Sequence, residues 1–453
     1  MKRDLTSGSI FKNLIYFSLP YLLSCFLQTF YGLADLFIAG QYNGADTISA
    51  VSNGSQIMHM ITVIIVGLAM GSTVLISQAV GSNNNERASN IIGNTISLFM
   101  IVSLAMTALL LLLTDAIISL MSVPDAAVRD TKMYITICFA GIPLITAYNI
   151  ISCIFRGIGD TKSPMYFVAV ACVVNIILDY IFIGGFSMGA AGAALGTVIS
   201  QTVSVIVAAV TIAKKNVGIK ITRESLKLDR QTLANILKIG IPVSLQDGLI
   251  QISFIIITII ANSRGVIIAA SVGIVEKIIG FLFLVPSAMM SAVSAISAQN
   301  AGADKHDRAR TTLKYGALIS VTVGLFFAIL CQFISEPLID LFLNDNTENV
   351  SEVIRMGGQY LRSYAFDCAI AGIHFCFSGY FCAYGKSLIS FIHNILSIIL
   401  LRIPGAYFAS KMFPDSLFEM GLAAPAGSLF SALICIFVYV YLQNKNKLTQ
   451  LPG

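Results

Sequence analysis

The stretch Gln78-Ala79-Val80-Gly81-Ser82-Asn83-Asn84-Asn85-Glu86-Arg87-Ala88 closes a long apolar run and returns 221 residues later as Gln299-Asn300-Ala301-Gly302-Ala303-Asp304-Lys305-His306-Asp307-Arg308-Ala309. What is kept is Gln-x-x-Gly, a four-residue gap, then an acid followed by Arg-Ala. Three further matches lie at nearly the same offset: Pro20 with Pro242, Phe155-x-x-x-Gly159 with Phe381-x-x-x-Gly385, and Met188-Gly189 with Met420-Gly421. Their order holds over about 170 residues, as expected of a duplicated unit.

What is duplicated follows from composition. Of 453 residues, 56% are hydrophobic and 11% charged, against roughly 25% charged in a soluble domain. The mean hydropathy is +0.83, more apolar surface than a water-soluble globule of this size can bury, so lipid must solvate part of it. Nearly uncharged stretches long enough to span a bilayer are centred near residues 27, 63, 102, 144, 174, 200, 251, 280, 325, 374, 398 and 431. The expected fold is therefore an all-α integral membrane protein of twelve transmembrane helices in two pseudo-symmetric six-helix bundles. Residues 1–213 form the first lobe, 214–231 a cytoplasmic linker around the longest polar stretch, and 232–453 the second lobe. Six is even, so both copies share one orientation and form a parallel repeat. Two such bundles side by side leave a crevice near the midplane, and rocking opens it to either side in turn. The expected partners are a small organic substrate and membrane lipid, with the chain a monomer.

Charge sets the orientation. With the N-terminus in the cytoplasm, 20 of the 28 Lys and Arg fall in cytoplasmic segments, among them Lys2, Arg3, Arg156, Lys215, Lys220 and Lys447. The positive-inside rule then places both termini in the cytoplasm. Acids such as Asp340, Asp345, Glu348 and Glu352 gather in the outer loops. No basic stripe or aromatic platform accompanies the net charge of +5, so no nucleic-acid partner is expected. The nine cysteines form no C-x-x-C pair and read as small buried hydrophobes. Gly385-Lys386-Ser387 resembles the end of a phosphate loop, but Tyr380 stands where its first glycine is needed. Neither a zinc-protease motif nor a nucleophile elbow occurs, so no enzyme activity, metal or cofactor is expected. Transport is then driven by an ion gradient or is passive.

An ionisable group inside a membrane is expensive and marks a functional site by default. Asp35 ends the sequence Gln28-Thr29-Phe30-Tyr31-Gly32-Leu33-Ala34-Asp35, whose i, i+3, i+7 spacing puts Gln28, Tyr31 and Asp35 on one helical face. The bland alternative is a carboxylate that solvates a helix end. Asn175 and Asp179 form an i, i+4 pair that suits a small cation or a shared proton, or a plain interhelical hydrogen bond. Gly185-x-x-x-Gly189 and Gly192-x-x-x-Gly196 permit close helix approach, bringing Thr197 toward this pair. Pro20 bends span one, as a hinge or through packing tolerance. In the second half, Asp247, Gln251, Glu276 and Asp367 are candidates, with Gln246 beside Asp247. His374, Asp367 and Arg402 suit a buried polar network. His59 and His393, without partners in sequence, are expected in the core or at an interface.

These features together resemble the multidrug and toxic compound extrusion (MATE) family. Leu19-Pro20, Asp35 and the Gln78 to Ala88 segment carry the resemblance, and Arg156-Gly157-Ile158-Gly159-Asp160-Thr161-Lys162 followed by Asn175-Ile176-Ile177-Leu178-Asp179 is its most specific part. The resemblance implies export of amphipathic, often cationic organic compounds in exchange for H+ or Na+. It places a cation-coupling site at Asp35, Asn175, Asp179 and Thr197, a substrate-binding wall at Gln28, Tyr31, Asn149 and Ser152, and the bend of span one at Pro20. One branch of the family has a second-lobe sodium site with acids where this sequence has Ile250 or Gln251 and Ala371. Asp247 and Asp367 stand a turn away. A lipid-linked oligosaccharide flippase shares the architecture and needs cavity cations, for which Lys277 and Arg402 are the candidates. A polyprenyl-processing enzyme would need a D-x-x-D metal pair, which the sequence lacks.

Overall fold

A chain this apolar has to satisfy its backbone polar groups internally wherever lipid surrounds it, and an uninterrupted helix does so. The computed structural model describes residues 4–121, 123–214, 221–343 and 349–445; Lys2, Arg3, Lys215, Lys220, Asp345, Glu348 and Lys447 lie outside these. The helices in chain order are α1 (Ile10–Tyr42), α2 (Ala45–Gly81), α3 (Asn85–Leu112), α4 (Thr114–Leu120), α5 (Asp125–Ala140), α6 (Ile142–Gly157), α7 (Lys162–Asp179), α8 (Gly189–Lys214) and α9 (Arg230–Asn262). They continue as α10 (Val266–Leu282), α11 (Leu284–Gly302), α12 (His306–Asp340), α13 (Val350–Tyr364), α14 (Phe366–Ala383), α15 (Ser387–Ser397), α16 (Ile403–Met412), α17 (Phe418–Gly421) and α18 (Ala423–Asn444). Among the described residues 11 stretches are long and apolar enough to cross a bilayer. The pair α5–α6, bent by 52°, supplies the twelfth, as the sequence predicts.

The interruptions have local causes. Pro143 opens α6 and cannot donate to a carbonyl one turn back, so the bend falls at Gly141. Pro286 lies in the first turn of α11, just beyond the break from α10 at Phe283. A π-helical turn, Tyr180–Gly185, follows α7, and a second, Ile398–Arg402, separates α15 from α16. Each interrupts the fifth membrane helix of its half.

Packing divides the chain into Leu19–Ser244 with the first few residues, and Leu5–Ser18 with Leu245–Gly453. The sequence boundary at 214–231 is where the two copies join; the packing division lies elsewhere, because each copy begins with an arm that packs with the other copy's helices. In the first unit, Asp229 donates its backbone N–H to Asn94 Oδ1 at 2.6 Å, and Ser97 donates to the Leu226 carbonyl at 2.7 Å. A Cβ at Gly71 would overlap the Ile236 carbonyl and one at Gly240 would overlap that of Leu68, so α2 and the start of α9 cross backbone to backbone. The described part of the polar linker is thus docked on α3. The core of this unit gathers Ile65, Phe99, Ile135, Phe139, Cys153 and Ile183.

In the second unit the arm is residues 5–18. Leu5, fully buried, donates its N–H to Gln299 Oε1 at 3.3 Å and accepts from Asn300 Nδ2 at 3.2 Å. Arg308 donates to the Gly8 carbonyl at 3.0 Å. The core gathers Ile257, Val272, Val275, Tyr360, Tyr364 and Met420. Phe326, Phe333 and Phe437 stand exposed on the long helices, as expected where lipid replaces water. Eight cysteines are buried and Cys25 is half-buried; all nine are free.

Candidate functional site

In the first unit α1 delivers Asp35, α7 delivers Asn175 and Asp179 one turn apart, and α8 delivers Thr197. All three polar residues on α1 and α7 are buried: Asp35 is 2% exposed, Asn175 and Asp179 0%. Thr197 Oγ1 donates to Asp35 Oδ2 at 3.3 Å. The Asp35 carboxyl also meets the side chains of Asp179 and Asn175. The four residues of the expected coupling site therefore come together from three helices.

Sequence explains the approach. Gly196 precedes Thr197, and a Cβ there would overlap Asp179 Oδ1. The missing side chain lets α8 lie against the carboxyl. Asp179 is the last α-helical residue before the π turn, a local widening often found at functional sites. The site is polar but not saturated: Asp35 Oδ1, both Asp179 oxygens and both Asn175 side-chain atoms are buried without a well-formed hydrogen bond. Buried polar atoms are normally paired. Two carboxyls in contact, remote from water and without a basic partner, cannot both be ionised unless a proton or cation sits with them.

The expected substrate wall divides. Gln28 and Tyr31 are half-buried on the Asp35 side of α1, with Gln28 donating to Tyr148 OH at 3.5 Å and Gln201 to Tyr31 OH at 3.1 Å. Asn149 instead returns its amide to the Ile145 carbonyl at 2.9 Å, and Ser152 is buried beside Tyr148. Gln201 and Tyr148 were not singled out in the sequence. Gln201 is i+4 from Thr197, so the helical spacing held a signal; Tyr148 adjoins Asn149 and held none. Arg156, placed by sequence in a cytoplasmic segment, is 8% exposed, its guanidinium 5.1 Å from the centre of the Tyr21 ring. Pro20 lies inside an unbroken α1, with the Ser24 hydroxyl donating to its carbonyl at 2.9 Å.

The second-unit candidates do not form one cluster. Glu276 accepts from Thr258 Oγ1 at 3.2 and 3.1 Å, and with Asp367 it lies in the field of Arg402. Asp247 instead lies near Cys382. Gln251, one turn from Asp247, is half-buried. The network of His374, Asp367 and Arg402 is present, and His393 extends it rather than standing alone, its ring centre 5.7 Å from that of His374. His59 is exposed on α2, not in the core.

A family model described as MatE matches residues 20–181 and 242–408, one copy of the repeat each. The probable multidrug resistance proteins YoeA and YpnP of Bacillus subtilis (strain 168) are 26% and 29% identical to this chain. They cover 98% and 97% of it, and 96% of their own lengths are matched. A solved structure described as the outward-facing conformation of a multidrug resistance MATE family transporter of the MOP superfamily superposes with a TM-score of 0.91 at 22% identity, over 98% of this chain and 99% of its own. Another, described as MATE in the bent conformation, gives 0.90 at 21% over 98% of each. With the match covering most of both halves and the fold shared end to end, the chain belongs to the MATE family.

Proposed function

We propose that this protein is a secondary antiporter that exports amphipathic, often cationic organic compounds by alternating access, each cycle returning a proton or sodium ion. The observation that carries the reading is the buried Asp35–Asp179 contact with Thr197 and Asn175 beside it. Relatives named for multidrug resistance support efflux of organic compounds. The loaded pair is neutral and the empty pair is not, so loading changes the charge on the α1 face that also bears Gln28 and Tyr31. A helix weakened at Pro20 then bends at modest cost, and solved structures described as MATE in the straight and in the bent conformation support a mobile element of this kind.

Driving force is sufficient. At about 150 mV one inward charge supplies roughly 3.5 kcal/mol, enough for about a 300-fold gradient. The Lys and Arg distribution supports a bacterial inner-membrane location with both termini cytoplasmic. The flippase alternative finds little support: Lys277 is exposed, and Arg402 is engaged by Tyr364 and carboxylates. The test is ethidium export by purified protein in liposomes under an imposed pH or sodium gradient. Gradient-dependent export is expected; export indifferent to both gradients overturns the coupling.

A further inference from the structure

The second unit buries a line of titratable side chains that the Asp35–Asp179 pair does not use. It starts at Arg402 in the π turn before α16. The Arg402 Nη2 donates to Tyr364 OH at 2.5 Å, and its guanidinium carbon lies 4.5 Å from the centre of the Phe254 ring. Asp367 on α14 and Glu276 on α10 both lie within its field. Ser428 of α18 stands beside Asp367, yet neither Asp367 oxygen has a well-formed hydrogen bond, and the carboxyl is 1% exposed.

From Arg402 the line runs to His374, seven residues after Asp367 and so on the same face of α14. Its Nδ1 is also buried without a well-formed hydrogen bond. Next is His393 on α15, fully buried between two hydroxyls: Ser431 Oγ 2.5 Å from Nδ1 and Ser378 Oγ 2.9 Å from Nε2. Ser390 donates to the Ser378 carbonyl at 3.3 Å and lies 4.0 Å from Cys382 Sγ, which is near Asp247. The titratable and charged groups along the line are thus Asp247, Asp367, Glu276, Arg402, Tyr360 and Tyr364, contributed by α9, α10, α13, α14 and the second π turn.

One cation and two carboxylates leave one surplus negative charge when all are ionised, in surroundings that screen it far less than water does. One added proton removes the surplus. Serine hydroxyls donate or accept by rotation, and a neutral imidazole accepts at one nitrogen while donating at the other. A proton taken at one nitrogen of His393 therefore releases the proton of the other to the next acceptor, and the ring ends neutral. We propose that the second unit takes up one proton, held by the Asp367–Arg402–Glu276 cluster and delivered through His393 and His374. This deepens the antiport reading by naming an ion for the second unit, and rests on that reading only for its role in transport.

The test is infrared difference spectroscopy of the purified protein in lipid nanodiscs after a pH drop from 8 to 5, following the carbonyl stretch of protonated carboxyls. A band is expected that persists in Asp35→Asn and Asp179→Asn and is lost in Asp367→Asn combined with Glu276→Gln. His374→Gln and His393→Gln should keep its final amplitude, which also reports an intact fold, and slow its appearance at least tenfold. A band wholly accounted for by Asp35 and Asp179 overturns the site. Parental kinetics in both histidine variants overturn the relay. Neither result touches the first-unit reading, which fails instead if Asp35→Asn exports normally.

Discussion

Gly196 and Asp179 are in contact across α8 and α7 so closely that a methyl group on the glycine would occupy the position of the carboxyl oxygen Oδ1. The backbone of α8 thus fixes where the carboxyl sits. Gly196→Ala should reduce gradient-driven export at least tenfold, comparable with loss of the carboxyl itself. A Cβ at Gly280 meets nothing within 4 Å, so Gly280→Ala should stay within twofold of the parent. Liposome flux with reconstitution efficiency as the control separates the two.

Thr197 contributes one hydroxyl to the pair, a single hydrogen bond to a carboxylate worth about 1.5–3 kcal/mol. Thr197→Ala should weaken ion-dependent export by tenfold or more, and Thr197→Ser should restore most of it. Equal losses in both variants would mean that the methyl group, through packing, is what matters.

Substrate choice should follow charge. The carboxyls Asp35 and Asp179, with Tyr31 and Tyr148 nearby, favour an organic cation near an aromatic face. Ethidium should be exported in preference to an anionic dye of matched size by at least tenfold. Equal rates for the two dyes would remove electrostatic selection from the account.

The exchanged arms predict a stability effect remote from the coupling pair. Leu5 is 1% exposed, and truncating a buried leucine costs about 2–5 kcal/mol. Leu5→Ala should lower the thermal unfolding temperature of the purified protein, and Asn300→Ala, which removes a donor to the Leu5 carbonyl, should do so less. Unchanged unfolding in both would show that the arm adds no stability.

The legible and illegible parts of this protein divide by range. Asn175 and Asp179 are neighbours on one helix, so their pairing followed from spacing alone, and their meeting with Asp35 and Thr197 followed from the family resemblance. The twelve spans followed from composition, including the one broken at Gly141. The exchange of arms was hidden because it depends on which helices Leu5, Asn94 and Gly240 touch, and polarity along the chain marks only where a loop runs. Arg156 was misplaced for a related reason: charge suggests water, while the Tyr21 ring lets its guanidinium be buried. His393 looked isolated because its partners, Ser378 and Ser431, lie 15 and 38 residues away on other helices.

The central claim is that the Asp35–Asp179 pair couples export to an ion gradient. Ethidium flux in liposomes under an imposed gradient, compared among the parent, Asp35→Asn and Asp179→Asn, tests it most directly. The account predicts that both variants insert and bind ethidium yet lose uphill export, retaining less than a tenth of the parental rate. Uphill export at the parental rate in both variants would contradict it.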